Sequence, residues 1–222
     1  MKIKSASLLG MLVLSAIGSV STIATLAWAE SIDDHHASHL HMMESLSLDA
    51  KPSHMMKDET KHSLANYTPP LVKLVRDDGK NVLLAEELND GRPVIMNFVF
   101  TSCTTVCPVA SRTFSVFQEG LGSERDKVHM VSISTDPEQD SPSVLKEYAS
   151  KYGAGPEWHF YTGSAAASIA TQQAFDVYRG DKMDQPPVTL LRAVPGQPWL
   201  RIEGFVTADE LLRDYRKLIA SK

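Results

Sequence analysis

The sequence predicts an α/β domain, a sheet with helices on both faces. Three observations carry this. Two apolar runs, Val94 to Phe100 and Lys127 to Thr135, read as strands buried on both faces. Each run leads into a helical stretch, so strands and helices alternate. A hairpin-like pair, Val188 to Val194 and Trp199 to Phe205 around Pro195-Gly196-Gln197-Pro198, then closes the sheet.

The first 29 residues stand apart from that domain. Lys2 and Lys4 precede an apolar run from Leu8 through Leu26, which ends in Ala27-Trp28-Ala29. This order predicts a secretory signal peptide over residues 1–29. The run is also long enough to span a bilayer if tilted, so an uncleaved anchor is the alternative. Both readings put the rest of the chain outside the cytoplasm: exported, and in a bacterium either periplasmic or anchored to the inner membrane facing the periplasm. Association with the membrane is expected only if the segment is uncleaved. Disulfides persist in that compartment.

Residues 30–66 read as a disordered His/Met-rich linker, because hydrophobic periodicity is absent and Ser, Asp, His and Met dominate. His35, His36, His39, His41, His54 and His62 lie in or near it, six of the chain's eight histidines. Met42, Met43, Met55 and Met56 lie there too, and His41-Met42-Met43 is nearly repeated as His54-Met55-Met56. Imidazole and thioether suit Cu(II) and Cu(I) respectively, so these are candidate auxiliary ligands. The same composition also fits a plain polar tether.

The globular domain is expected over 67–222. Leu71 to Val75 and Asn81 to Ala85 predict a hairpin around Asp77-Asp78-Gly79. Val94 to Phe100 follows, broken only by Asn97. A helix is expected from about Val109 to Leu121, with Pro108 as its first residue. Ser143 to Tyr152 is a helix stopped by Gly153, and Trp158 to Tyr161 a short strand. Ser164 caps a helix running to Ala174, and Thr207 caps the last, Ala208 to Ala220. A net charge of −5 and the lack of a basic stripe with interleaved aromatics argue against nucleic acid as a partner.

The only two cysteines, Cys103 and Cys107, fall in the loop between a central strand and a helix. Open α/β sheets place their sites at such carboxyl ends of strands. Unpaired amides and the helix dipole there favour a thiolate, the form needed for thiol exchange and metal binding. Two thiolates suit Cu(I). The spacing leaves three readings open: a Cys103–Cys107 disulfide, a redox pair or a metal pair. His129 and His159 read as strand residues with hydrogen-bond partners, Asp136 and Asp140 as turn formers beside the site, and Arg192 as a surface or paired charge.

Thr101-Ser102-Cys103-Thr104-Thr105-Val106-Cys107-Pro108 after an apolar strand resembles the C-x-x-x-C-P motif of the SCO/SenC family. Ile133-Ser134-Thr135-Asp136-Pro137 with Asp140-Ser141-Pro142 resembles that family's I-S-x-D-P-x-x-D-x-P segment, and Trp158 to Gly163 its W-x-x-x-T-G segment. The resemblance implies a thioredoxin-like fold, here with an N-terminal β-hairpin extension. It also implies copper delivery or thiol reduction for the Cu(A) centre of cytochrome c oxidase. The expected partner is then an oxidase subunit or another periplasmic copper or thiol protein, and the expected metal Cu(I)/Cu(II).

Family members bind copper with both cysteines and a histidine before the strand matching Val188 to Val194. Here that stretch reads Asp184-Gln185-Pro186-Pro187-Val188-Thr189, with Gln185 near the ligand position and no histidine after His159. Met183 is the nearby candidate for a replacement ligand. Pro186 or Pro187 alternatively resembles the cis-proline of thioredoxins, which points to thiol–disulfide exchange without a tight copper site. A third reading comes from Thr104 to Pro108, which resembles the T-x-x-C-P part of the peroxiredoxin signature, with Phe100 where that signature has proline.

Overall fold

The computed structural model describes residues 60–221. The expected signal peptide and the candidate ligands His35, His36, His39, His41, Met42, Met43, His54, Met55 and Met56 lie outside the described residues. Among the described residues no helix is long and apolar enough to cross a membrane.

The elements run β1 (Lys61–Ala65), β2 (Lys73–Arg76), β3 (Asn81–Leu83), α1 (Leu84–Glu87), β4 (Val94–Val99), α2 (Val106–Leu121), β5 (His129–Ser134), α3 (Pro142–Lys151), β6 (Trp158–Gly163), α4 (Ala165–Ala174), β7 (Val188–Arg192), β8 (Trp199–Glu203) and α5 (Ala208–Ala220). One sheet of eight strands has the order β1-β8-β7-β4-β5-β6-β2-β3. β4, β5 and β6 are parallel to one another, and every other pairing is antiparallel.

The strand pleat sorts the core into two layers. Ile95, Val99 and Met130 point to the face covered by Phe114, Phe117 and Leu121 of α2, Leu145 and Tyr148 of α3, and Leu211 and Tyr215 of α5. Met96, Val131 and Ile133 point to the opposite face, with Leu84 of α1 and Ala167 of α4. The central strands are thus covered on both sides, as their unbroken apolar runs require. Local chemistry fixes the helix starts. Ser141 and Ser164 accept the N–H of Val144 and Ala167, and Thr207 with Glu210 forms a reciprocal cap on α5.

Four expectations need correction. Residues 61–65 are not part of a tether: β1 pairs with β8 from Lys61↔Glu203 to Ala65↔Trp199, so the domain begins near residue 60. The hairpin's second strand is short, and the chain turns into α1 at Leu84, which buries Leu84 and Leu88. Helix α2 begins at Val106, so Cys107 lies inside its first turn and Pro108 is the third residue rather than the first. Proline is harmless there, because the first four amides have no intrahelical acceptor. Finally, Pro186 and Pro187 are both trans, since no cis bond occurs among the described residues. Gln185 takes the extended conformation that a following proline favours, and trans is the cheaper isomer.

Candidate functional site

The site is built where β4 ends and α2 begins. The N–H of Cys103 donates to the Phe100 carbonyl at 3.2 Å, closing a tight turn at the strand end. Thr105, the N-cap residue, gives its side chain to no helix amide. Cys103 fills that role instead: its Sγ accepts the Cys107 N–H at 3.3 Å, with Thr105 Oγ1 at 3.9 Å. A sulfur that caps a helix N-terminus is better suited to negative charge than a free thiol.

The two thiols are therefore unequal. Burial works against the Cys103 thiolate, but the backbone amides of Cys107 and Thr105 outweigh it and hold this thiol below its ordinary range. Burial pushes Cys107 up to about 12, with Cys103 and the Asp140 carboxylate adding to the rise. Both are free thiols in this structure, so the Cys103–Cys107 disulfide is not formed here.

A cleft of about 50 Å³ opens beside them. Cys103, Cys107, Met183, Gln185, Pro186 and Pro187 all line it, so the topology brings together the thiol pair and the loop that the sequence singled out. Met183 is 65% exposed on the rim. Gln185 is not free to turn inward, because its amide donates to Gln172 Oε1, and Gln172 in turn donates to Ser168. Lys182 pins the same loop through Asp136 and lies over the Phe100 ring, 5.3 Å from its centroid.

The histidines among the described residues are all elsewhere. His62 sits on β1 and pairs with Asp214 at 2.9 Å. His129 is buried, with Nδ1 3.0 Å from the Glu87 carbonyl and Nε2 3.1 Å from the Tyr161 hydroxyl. His159 lies 3.5 Å from Asp77. Among the described residues no three His, Cys, Asp or Glu side chains are grouped to hold a metal. The donors available in the cleft are two thiols and the thioether of Met183, a soft set that fits Cu(I) and not a hard cation.

Asp140 does more than form a turn, and two further contributors, Lys182 and Gln172, were not singled out by the sequence. Asp140 is fully buried and accepts the Thr101 hydroxyl at 2.5 Å and the Ser134 hydroxyl at 2.6 Å, tying the cysteine loop to β5. Its spacing from Asp136 marked a turn, but only the fold reveals the cross-strand clamp. Lys182 and Gln172 carried no signal, since their partners are 46 and 13 residues away. Arg192 is a correction: it is buried, donating to the Leu88 carbonyl and Asn89 and stacking 4.4 Å from Trp199. It pairs as expected but not at the surface, because cation–π contact and the two acceptors replace its hydration.

An α/β sheet with an unequal thiol pair at the junction of a central strand and a helix defines a thioredoxin-like dithiol protein. The SCO1/SenC family model matches residues 64–191, and the chain belongs to that family. It is 35% identical over 105 residues to the SCO1 protein homolog of Bacillus subtilis, covering 47% of this chain and 53% of that one. The chain spans about half the length of the curated relatives it matches. Copper-bound ScoI of Bradyrhizobium japonicum superposes with a TM-score of 0.58 at 26% identity, covering 69% of this chain and 99% of that one. BsSco, a Sco-family cytochrome c oxidase assembly protein in which a disulfide switch was identified, gives 0.60 at 26% identity, covering 72% and 98%.

Proposed function

We propose that this is an exported protein that carries Cu(I) on Cys103 and Cys107, for the copper centre of cytochrome c oxidase or another periplasmic copper protein. The observation that carries the proposal is the pair of free sulfurs on one cleft, one of them capping a helix N-terminus. The copper-bound relative from Bradyrhizobium japonicum supports the choice of metal. Copper is the cargo. Two thiolates hold it, the Met183 thioether is the third soft donor, and loading releases the thiol protons, so affinity falls as pH falls. The His/Met segment, from His35 to Met56, serves as an auxiliary site, and residues 1–29 direct export.

The test is a Cu(I) competition titration on the reduced chain from residue 30, beside its Cys103→Ser/Cys107→Ser form and a chain lacking residues 30–59. One Cu(I) per thiol pair is expected, with a loss of about a thousandfold or more in the double variant, some 4 kcal/mol. The shortened chain should bind more weakly than the longer one. Equal binding with and without the cysteines would end the proposal.

The inequality of the two thiols favours a second activity at the same site. Cys103, the readier thiolate, attacks a partner disulfide and releases one partner thiolate. Cys107, kept protonated by burial, then gives up its proton and attacks the mixed disulfide. The products are the Cys103–Cys107 disulfide and a fully reduced partner. The disulfide switch in BsSco supports this reading.

A further inference from the structure

Copper meets a protein in one of two oxidation states, and the donors on the wall decide which is held. Cu(I) takes thiolate and thioether sulfur, whereas Cu(II) takes nitrogen and oxygen in tetragonal arrangements. Among the described residues that line the cysteine cleft, Cys103, Cys107 and Met183 offer sulfur, and there is no imidazole or carboxylate. The one Lys or Arg on that lining is Lys182, whose charge opposes a dication more than a monocation.

The nitrogen and oxygen groups nearby are spent elsewhere. Asp136 pairs with Lys182, and Asp140 accepts the hydroxyls of Thr101 and Ser134. The Asn97 amide oxygen accepts the Ser132 hydroxyl at 2.7 Å, and that hydroxyl accepts the Trp158 indole N–H at 2.9 Å. Gln185 is held by a relay whose direction is fixed. The Ser134 carbonyl can only accept, so the Ser168 hydroxyl donates to it, at 2.9 Å. Ser168 then accepts the Gln172 amide N–H, also at 2.9 Å. The Gln172 carbonyl is left facing Gln185, which gives it an N–H. Gln172 and Ser168 are each 3% exposed, so water does not compete for the relay.

We propose that the thiol pair reduces Cu(II) instead of holding it, so that only Cu(I) serves as cargo, and that Gln172 is a positioning residue that ties down the side chain at 185. Two Cu(II) ions take one electron each. The S–H bonds of Cys103 and Cys107 break, two protons leave, and one S–S bond forms between the sulfurs. The products are two Cu(I) ions and a disulfide that can hold neither. The Cys103 sulfur already lies 3.3 Å from the Cys107 backbone nitrogen, at the same helix end. The inference rests on the copper reading and names the oxidation state that the site rejects.

The test is anaerobic addition of two equivalents of Cu(II) to the reduced chain from residue 30. Free thiols are counted with a chromogenic disulfide, Cu(I) with bicinchoninate, and remaining Cu(II) by EPR and by its thiolate charge-transfer band. The expected result is loss of both thiols, two Cu(I) per chain and no lasting charge-transfer band. Cu(II) on the histidines before residue 60 gives an EPR signal without that band, so it is told apart. Cys103→Ser/Cys107→Ser should yield no Cu(I). Gln185→His/Gln172→Leu puts an untied imidazole on the cleft, and should slow thiol loss by about tenfold to a hundredfold, the usual scale for altered ligand support at a metal. Gln185→His alone, with Gln172 still able to hold the ring, should fall between that variant and the wild type. A lasting charge-transfer band with intact thiols in the wild type, or thiol loss at the wild-type rate in both variants, overturns the proposal. Tight Cu(I) binding beside a stable Cu(II) complex ends this inference alone. Cu(II) reduction without Cu(I) binding ends the copper-carrying reading and leaves the reduction standing.

Discussion

Around the amino end of β5, His129 spends both ring nitrogens, on the Glu87 carbonyl and the Tyr161 hydroxyl, and that hydroxyl donates onward to Glu87 at 2.7 Å. Around the carboxyl ends of β4 and β5, by contrast, two thiols are free and the Asn97 amide and Thr135 hydroxyl have no partner. Both regions bury ionisable chemistry at the ends of the same strands. In the first, both nitrogens of the buried imidazole are met by groups of the fold. The second leaves two sulfurs uncommitted beside a cleft, which is what a site that receives something requires.

The largest expected contrast lies within the cleft. Alkylation of the reduced protein by iodoacetamide, followed site by site by mass spectrometry, should modify Cys103 far faster than Cys107, because helix-end amides hold the first thiol below its ordinary range while burial pushes the second up. Cys107 should react only as pH approaches about 12 or when the protein unfolds. Equal rates would dissolve the proposed division into attacking and resolving thiol.

A smaller effect is expected at the closed end. Burial lowers His129 from 6.5 to about 4, with Arg92 assisting. Above pH 6.5 the ring is neutral in both folded and unfolded chains, so pH has no leverage there. As pH falls from 6.5 towards 4 the unfolded chain takes up a proton that the folded one refuses. Stability should drop by up to ~3 kcal/mol across that window, at 1.36 kcal/mol per unit. Urea midpoints at pH 7 and pH 4.5 measure it, and His129→Gln should flatten the slope. A slope unchanged by that substitution would show that the acid sensitivity arises elsewhere.

The smallest effect concerns the clamp between the cysteine loop and β5. Asp140→Asn replaces an acceptor-only group by one that also donates, and should cost about 2 kcal/mol through an unmet hydroxyl. It should also quicken hydrogen exchange at the Thr101 amide, which Asp140 accepts at 3.2 Å. Loss of stability with unchanged exchange at Thr101 would place the strain outside the cysteine loop.

Much of this was legible in the sequence, for physical reasons. The central strands betray themselves by apolar runs, and the thiol pair by its place between strand and helix. Strand β1 was not legible: Lys61 to Leu64 are all exposed, so no alternation marks them. The edge of β8 makes them a strand by supplying hydrogen bonds. The start of α2 is not legible either: a proline pattern points to Pro108 as first residue, whereas the helix begins two residues earlier at Val106, under the Cys103 sulfur. Asn97 was visible as a break in an apolar run, but its meaning depends on Ser132 and Trp158, which only the sheet register brings to it.

The row from Trp158 to Asn97 also gives the molecule an optical property. Two tryptophans lie among the described residues, in different layers: Trp158 against Phe114 and Phe160, and Trp199 under the Arg192 guanidinium. Only the indole of Trp158 is hydrogen-bonded into the chain of groups that ends at the cleft floor. A change at the cysteine cleft that disturbs Asn97 is therefore expected to alter Trp158 emission and to leave Trp199, on the far side of the sheet and outside that hydrogen-bonded row, as it was.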